Sequence, residues 1–230
     1  MAKLSLQAIF WDNDGVLVDT EILYMKATKE VLSKNGVELT EDLYREHFLK
    51  KSSGLSSLLP NYAHQAISKL RQERNEIYSR YLSTENVLIA GVSEVLNELY
   101  GRYKMGIISS SRRDHFDIIH SRTDILRFFD FILTEGDYDF AKPHPAPYLK
   151  ALNIVNLPPR NCLAIEDSFR GLSAAKAAGI PCCLVRSPFI KDPSILMPDF
   201  TLNSIRDLPQ LVRENYNWYQ YSEEKNSIGF

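Results

Sequence analysis

Asp12 and Asp14 stand one residue apart, directly behind the apolar run Ile9-Phe10-Trp11 and directly ahead of Gly15. Three later stretches set polar side chains beside apolar runs or prolines: Ser109, Ser110 and Ser111 behind Ile107-Ile108, Lys142 ahead of Pro143 and Pro145, and Glu166 with Asp167 behind Leu163-Ala164-Ile165. Each has a plain reading when taken alone. Two acids around one residue suit a turn, or they could hold a cation. A calcium loop opening at Asp12 wants an oxygen ligand at its fifth place and glutamate at its twelfth, where the chain offers Val16 and Leu23, so calcium fails on ligand count. Ser110 and Ser111 suit the cap of a following helix, as do Asp19 and Thr20, and a lone lysine suits a solvated surface. His115, His120 and His144 lack metal-ligand spacing and read as structural, His144 being the one closest to touching a substrate.

The elements that must position these residues decide between the plain readings and chemistry. Leu6 to Trp11 is a short apolar run of the kind that forms a strand buried on both faces of a parallel sheet. From about Thr20 to Leu82 only helical patterns follow. Ile22, Met25, Lys29 and Leu32 lie close to one stripe, with Gly36 as a stop; Thr40 before Glu41 and Asp42 marks a helix start. Between Asn61 and Leu82 an apolar face breaks at Arg74. After Gly91 strands and helices alternate: helix over Val92 to Tyr100, strand over Lys104 to Ile108, helix over Arg112 to His120 and strand over Phe129 to Leu133. Next come helix over Pro147 to Asn153, strand over Leu163 to Ile165, helix over Ser168 to Ala178 and strand over Cys182 to Val185. A first strand split from its later units by a helical block predicts an α/β fold. It is a Rossmann-like parallel sheet with helices on both faces and an inserted all-helical cap. The core is expected over 1–19 and 84–215, the cap over 20–83, and a tail over 216–230 that is partly disordered after the aromatic patch at Trp218, Tyr219 and Tyr221. A cap that leaves and returns near one sheet edge can move as a lid.

Bulk properties narrow the partners. The formal charge is −2, spread without a basic stripe, so nucleic acid is not expected. No run approaches the ~20 apolar residues of a membrane span and there is no room for a signal peptide before the first strand, so a cytoplasmic protein without a membrane partner is expected. Cys162, Cys182 and Cys183 are an odd set inside or beside apolar runs, which reads as buried reduced thiols. Nothing fixes the oligomeric state; a monomer or weak homodimer is expected.

In open parallel sheets ligands bind beyond the carboxyl ends of the strands, and all four stretches fall there. Two acids, a hydroxyl, a lysine and two more acids thus converge on one rim. With the motifs DNDGVLVDT, IISSS, KPHPAPY and IEDS in that order, the chain resembles the haloacid dehalogenase superfamily over about residues 5 to 210. Within it, the likeness is to the subgroup with a helical cap after the first strand, which holds small-molecule phosphatases and β-phosphoglucomutase.

The resemblance implies a phosphoryl-transfer site. Asp12 would be the nucleophile, forming an aspartyl-phosphate, and Asp14 the general acid and then the base that activates water. Gly15 would let the backbone turn tightly beside the phosphate. Ser109, with Ser110 beside it, would bind a phosphoryl oxygen. Lys142 would screen the repulsion between Asp12 and the phosphate, since an anionic nucleophile meets an anionic ester only where the site supplies positive charge. Mg²⁺ would be held by Asp12, the main-chain carbonyl of Asp14, Asp167 and Glu166. Lys51, in FLKKSSG on the cap, would contact the substrate. In this superfamily a carboxyl two residues after the nucleophile marks phosphatases and phosphomutases, so Asp14 argues against carbon–halogen cleavage. β-Phosphoglucomutase carries histidine where this chain has Tyr24, a departure that favours hydrolysis. The expectation is a Mg²⁺-dependent phosphatase acting on a small phosphorylated metabolite; the alternatives are a sugar phosphomutase and a non-catalytic binding module on the same fold.

Overall fold

The computed structural model describes residues 5–50, 54–187 and 197–216. Lys51 and the aromatic patch at Trp218, Tyr219 and Tyr221 lie outside the described residues.

Six parallel strands form one sheet: β1 (Ala8–Trp11), β2 (Lys104–Ile108), β3 (Phe131–Leu133), β4 (Cys162–Glu166), β5 (Cys182–Val185) and β6 (Phe200–Leu202), in the order β3-β2-β1-β4-β5-β6. β1 is central, and its four residues are all buried. Alternation sends Ile9 and Trp11 to one face, where they pack with α5 (Val92–Leu99), α6 (Arg113–His120) and α9 (Leu208–Asn215). Ala8 and Phe10 face the other side, against α7 (Ala146–Val155) and α8 (Phe169–Ala177). Each large apolar side chain so enclosed contributes roughly 1.5–3 kcal/mol, which is why the runs are continuous rather than alternating in polarity. The register sets Trp11 beside Ile107 on one flank and Ile165 on the other. The residues that follow these three strands therefore emerge side by side, at the point where strand order reverses.

Between β1 and α5 come four helices, α1 (Glu21–Lys34), α2 (Glu41–Tyr44), α3 (Gly54–Leu58) and α4 (His64–Thr84), with a wider π-type turn over Arg45–Lys50. Thr40 caps α2, its hydroxyl accepting from Leu43 N–H at 3.3 Å. Leu32, Leu39, Tyr44, Leu55, Leu59 and Ile67 form a cluster of their own above the sheet. No described helix is long and apolar enough to cross a membrane.

Three expectations need correction. The buried face of α1 is Leu23, Ala27, Val31 and Leu32, while Ile22 and Lys29 are exposed. The cause is that α1 serves two partners, the sheet cluster through Leu23, Ala27 and Val31 and the cap cluster through Leu32, so a single stripe does not describe it. β3 starts two residues later than Phe129, after a tight 3₁₀ turn over Leu126–Phe128. β6 and α9 have no counterpart among the elements read from sequence. α9 buries Leu208 and Val212 against the sheet, and Tyr216 beyond it is buried near Phe200. Cys162, Cys182 and Cys183 are buried free thiols, as expected.

Candidate active site

The peptide N–H of Asp12 donates to Ile165 O at 2.9 Å, extending the β1–β4 ladder one step past the strand and leaving the carboxylate on the rim. Asn13 then turns the chain, its carbonyl accepting from Leu17 and Val18 N–H at 2.8 and 3.1 Å. Gly15 sits at φ +80°, and a Cβ there would lie 1.9 Å from Asp167 Oδ2. Only glycine fits, on both backbone and contact grounds. Asp14 points back to the same rim: its Oδ2 accepts from Ser111 Oγ at 2.6 Å and Ser109 Oγ at 3.5 Å, and its Oδ1 accepts from the Thr20 hydroxyl.

Lys142 is buried and spends all three ammonium protons, on Glu166 Oε1 at 2.6 Å, Ile108 O at 2.8 Å and Asp12 Oδ1 at 3.0 Å. Its own carbonyl receives Nε and Nη2 of Arg170 at 3.0 and 2.7 Å, which fixes the loop that aims it. The lysine that would read as a surface charge in isolation is thus the cation of an enclosed carboxylate cluster.

That cluster holds more negative charge than one ammonium offsets. Burial, with Glu166 and Asp14 nearby, pushes the Asp12 carboxyl up to about 8 despite Lys142. Burial, with Asp12 and Glu166 nearby, raises Asp167 well above the usual carboxylate range. Glu166 is fully buried; Oε1 also accepts from Tyr148 OH, whereas Oε2 has no partner among the described residues. Gly171 makes room for it, since a Cβ there would sit 1.7 Å from Oε2. Oxygens of Asp12, Glu166 and Asp167 all lie within 4.8 Å of one another. Three hard oxygen donors, mutual repulsion and an orphaned buried oxygen fit a small divalent cation such as Mg²⁺.

Above this floor opens a cleft of about 1290 Å³, walled by Tyr24, Tyr44, Arg45, Arg71, Arg74 and Tyr78 on the helical side. Ser110, Ser111, His115, Glu135 and Arg170 border it on the sheet side. Glu21, at the start of α1, also lines it; burial pushes its carboxyl up to about 7, and Tyr44 OH donates to it.

The profile of the haloacid dehalogenase-like hydrolases matches residues 9–185. The chain belongs to that family. It is 30% identical over 187 residues to a phosphorylated carbohydrates phosphatase of Thermotoga maritima, covering 76% of this chain and 82% of that one. It is 27% identical over 229 residues to β-phosphoglucomutase of Bacillus subtilis, covering 95% and 99%. The crystal structure of CbbY from Rhodobacter sphaeroides in complex with phosphate shares the fold, with a TM-score of 0.74 at 23% identity over 88% of this chain and 96% of that one.

In this haloacid dehalogenase-like hydrolase, Asp12, Asp14, Gly15, Ser109, Ser110, Lys142, Glu166 and Asp167 meet at one rim, leaving Lys51 as the expected site residue outside the described residues. Sequence reasoning assigned the wrong partners to two hydroxyls. Ser111 and Thr20 do not cap α6 and α1, which begin without a side-chain cap bond; both donate to Asp14 instead. His144 accepts from Ala146 N–H at 3.1 Å and packs on Phe140, so the cleft histidine is His115. Arg45, Arg71 and Arg170 were not singled out, and Arg74 showed only as a break in an apolar face.

His120 supports the site from below. Its Nε2 donates to Asn13 Oδ1 at 2.8 Å and its Nδ1 accepts from Thr123 Oγ1 at 2.8 Å. Burial lowers its pKa to about 4, so the folded protein holds it neutral while the unfolded chain takes up a proton near 6.5. More protons bound by the unfolded chain means stability that is present above pH 6.5 and lost as pH falls towards 4. His120→Gln is expected to shrink that acid-side loss of melting temperature. Melting curves of both proteins between pH 4 and pH 7 check it, and parallel curves would refute the assignment.

Proposed function

We propose that the chain is a Mg²⁺-dependent phosphatase that hydrolyses a small-molecule phosphomonoester through an aspartyl-phosphate on Asp12. The observation that carries this is the Lys142 ammonium shared between Asp12 and Glu166, with Asp14 held on the same rim. In this reading Asp12 attacks phosphorus, the bond to the ester oxygen breaks, and Asp14 gives that oxygen its proton. Asp14 then takes a proton from water, the resulting nucleophile displaces Asp12, and orthophosphate leaves. The hydroxyls of Ser111 and Thr20 can donate to the Asp14 carboxylate or turn to accept from its protonated form, so one side chain can serve both halves. Ser109 and Ser110 would hold phosphoryl oxygens, and Lys142 would steady charge that develops on them. Asp12, the Asp14 carbonyl, Glu166 and Asp167 would hold Mg²⁺, which supplies the positive charge that a dianionic ester needs here. The helical segment 20–83 would act as a cap over a core of 1–19 and 84–215, excluding bulk water during reaction.

Similarity to β-phosphoglucomutase over nearly the whole chain supports a second reading, transfer between two oxygens of one sugar. Tyr24, where that enzyme type carries histidine, supports hydrolysis. Phosphorus NMR of sugar phosphates incubated with the protein and Mg²⁺ is expected to show orthophosphate accumulating, and chelation to stop it. An isomeric ester without orthophosphate would establish transfer; no reaction with any ester, metal present, would leave a binding module.

A further inference from the structure

Alternation along β4 puts Glu166 on the same face as Cys162 and Ala164, the face that α7 and α8 cover with apolar side chains. A carboxylate there costs free energy unless it is paired and hydrogen-bonded. Two donors reach it, both at Oε1: the Lys142 ammonium at 2.6 Å and the hydroxyl of Tyr148. Oε2 has no partner among the described residues, and Gly171 keeps the space beside it clear of a side chain.

Tyr148 closes the stretch KPHPAPY and lies in the first turn of α7. It is fully buried, its ring centroid 6.5 Å from that of Phe10 and 5.3 Å from Lys142 Nζ. Burial, with the charge of Glu166 next, raises its phenol well above the ordinary value, so the hydroxyl keeps its proton and stays a donor. A packed ring delivers that donor from one fixed point, whereas the flexible lysine divides its ammonium among Glu166, Asp12 and Ile108. A carboxylate held by one donor can still turn about that bond; a second donor on the same oxygen fixes where the other oxygen points. We infer that Tyr148 is a positioning residue of the cation site, holding Oε1 of Glu166 so that Oε2 is presented to the divalent ion together with Asp12 and Asp167. The inference rests on the Mg²⁺ reading of the carboxylate cluster and adds to it the group that sets its geometry. Mg²⁺ demands near-ideal octahedral geometry, whereas Ca²⁺ accepts looser and more numerous oxygen ligands. A misaimed carboxylate therefore costs Mg²⁺ more than Ca²⁺.

Tyr148→Phe deletes the hydroxyl and keeps the ring. Metal-free wild type and variant are titrated calorimetrically with magnesium chloride and, separately, with calcium chloride, beside melting curves taken without metal. The Mg²⁺ dissociation constant is expected to rise by about tenfold or more, the scale on which loss of a ligand's outer partner registers, and the Ca²⁺ constant by less. A folded variant that binds Mg²⁺ as the wild type does overturns the inference and leaves the metal reading standing. A loss for Ca²⁺ as large as that for Mg²⁺ overturns it too, since the hydroxyl would then supply charge balance rather than aim. So does a variant that fails to fold, which would make the hydroxyl a part of the core alone. A wild type that takes up no Mg²⁺ removes the metal reading itself, and the inference with it.

Discussion

Asp12→Asn is expected to stop orthophosphate release from any ester the wild type cleaves, by at least about ten-thousand-fold, the scale on which loss of a nucleophile registers. Asparagine nearly matches aspartate in shape but its amide does not form an acyl phosphate on this path. Its Oδ1 can still accept from Lys142, which now donates at 3.0 Å, and Lys142 keeps its bonds to Glu166 and Ile108. The substitution also removes one negative charge from a cluster in which burial and Glu166 already work against ionisation of Asp12. The metal-free variant is therefore expected to melt at or above the wild-type temperature. Single-turnover assays with an aryl phosphate, run beside melting curves, read both halves. Activity within tenfold of wild type in a protein that melts normally would falsify the proposed nucleophile.

The rim was legible because two strong one-dimensional signals coincide there. β1 and β4 are buried on both faces, so they read as unbroken apolar runs, and the residues that follow must emerge at the carboxyl edge. What the one-dimensional pattern hides is the partner of a short polar side chain. Ser111 and Thr20 stand where helix caps stand, yet their hydroxyls are taken by Asp14, 97 and 6 residues away. His120 looks like any helix-end histidine until Asn13, 107 residues off, is found against it. Arg170 lies four residues beyond Glu166, and its target is the carbonyl of Lys142, which only the folded loop brings near.

The same limit applies to faces that serve two partners. α4 buries Ile67 in the cap cluster and Ile77, Tyr78 and Leu82 in the sheet cluster. Between those two contacts its exposed turn carries Arg71 and Arg74 into the cleft. A periodicity count sees an imperfect stripe; the structure sees two cores and a wall between them. β6 is three residues long and lies at the sheet edge, too short a run to outweigh the turn residues on either side.

Lys142→Met shows how far stability and catalysis share one cation. Methionine fills similar space without charge, so the change deletes the ammonium and leaves little cavity. Asp12 Oδ1, Glu166 Oε1 and Ile108 O each lose a donor; of the two carboxylates, Glu166 is wholly enclosed. Removing one partner of a buried ionic cluster costs about 3–5 kcal/mol, and here the cost depends on pH. With the ammonium present, Asp12 is already pushed up to about 8 from 3.8; without it the value rises further. A carboxyl whose pKa is raised by folding binds its proton more tightly in the folded state, so stability falls as pH climbs from about 4 towards the raised value. Both folded proteins keep Asp12 protonated up to about pH 8 and lose stability alike, and above it only the wild type ionises Asp12 in the fold, so the melting deficit of the metal-free variant is expected to be level between pH 4 and pH 7 and to widen between pH 8 and pH 10. Activity is expected to fall by about a hundredfold to a thousandfold or more, the cost of losing a preorganised charge beside the reacting oxygens. Melting curves across that pH range show where the variant is folded, and turnover is measured there. A folded variant with near wild-type turnover, or a melting deficit that does not change with pH, would remove Lys142 from the role given to it.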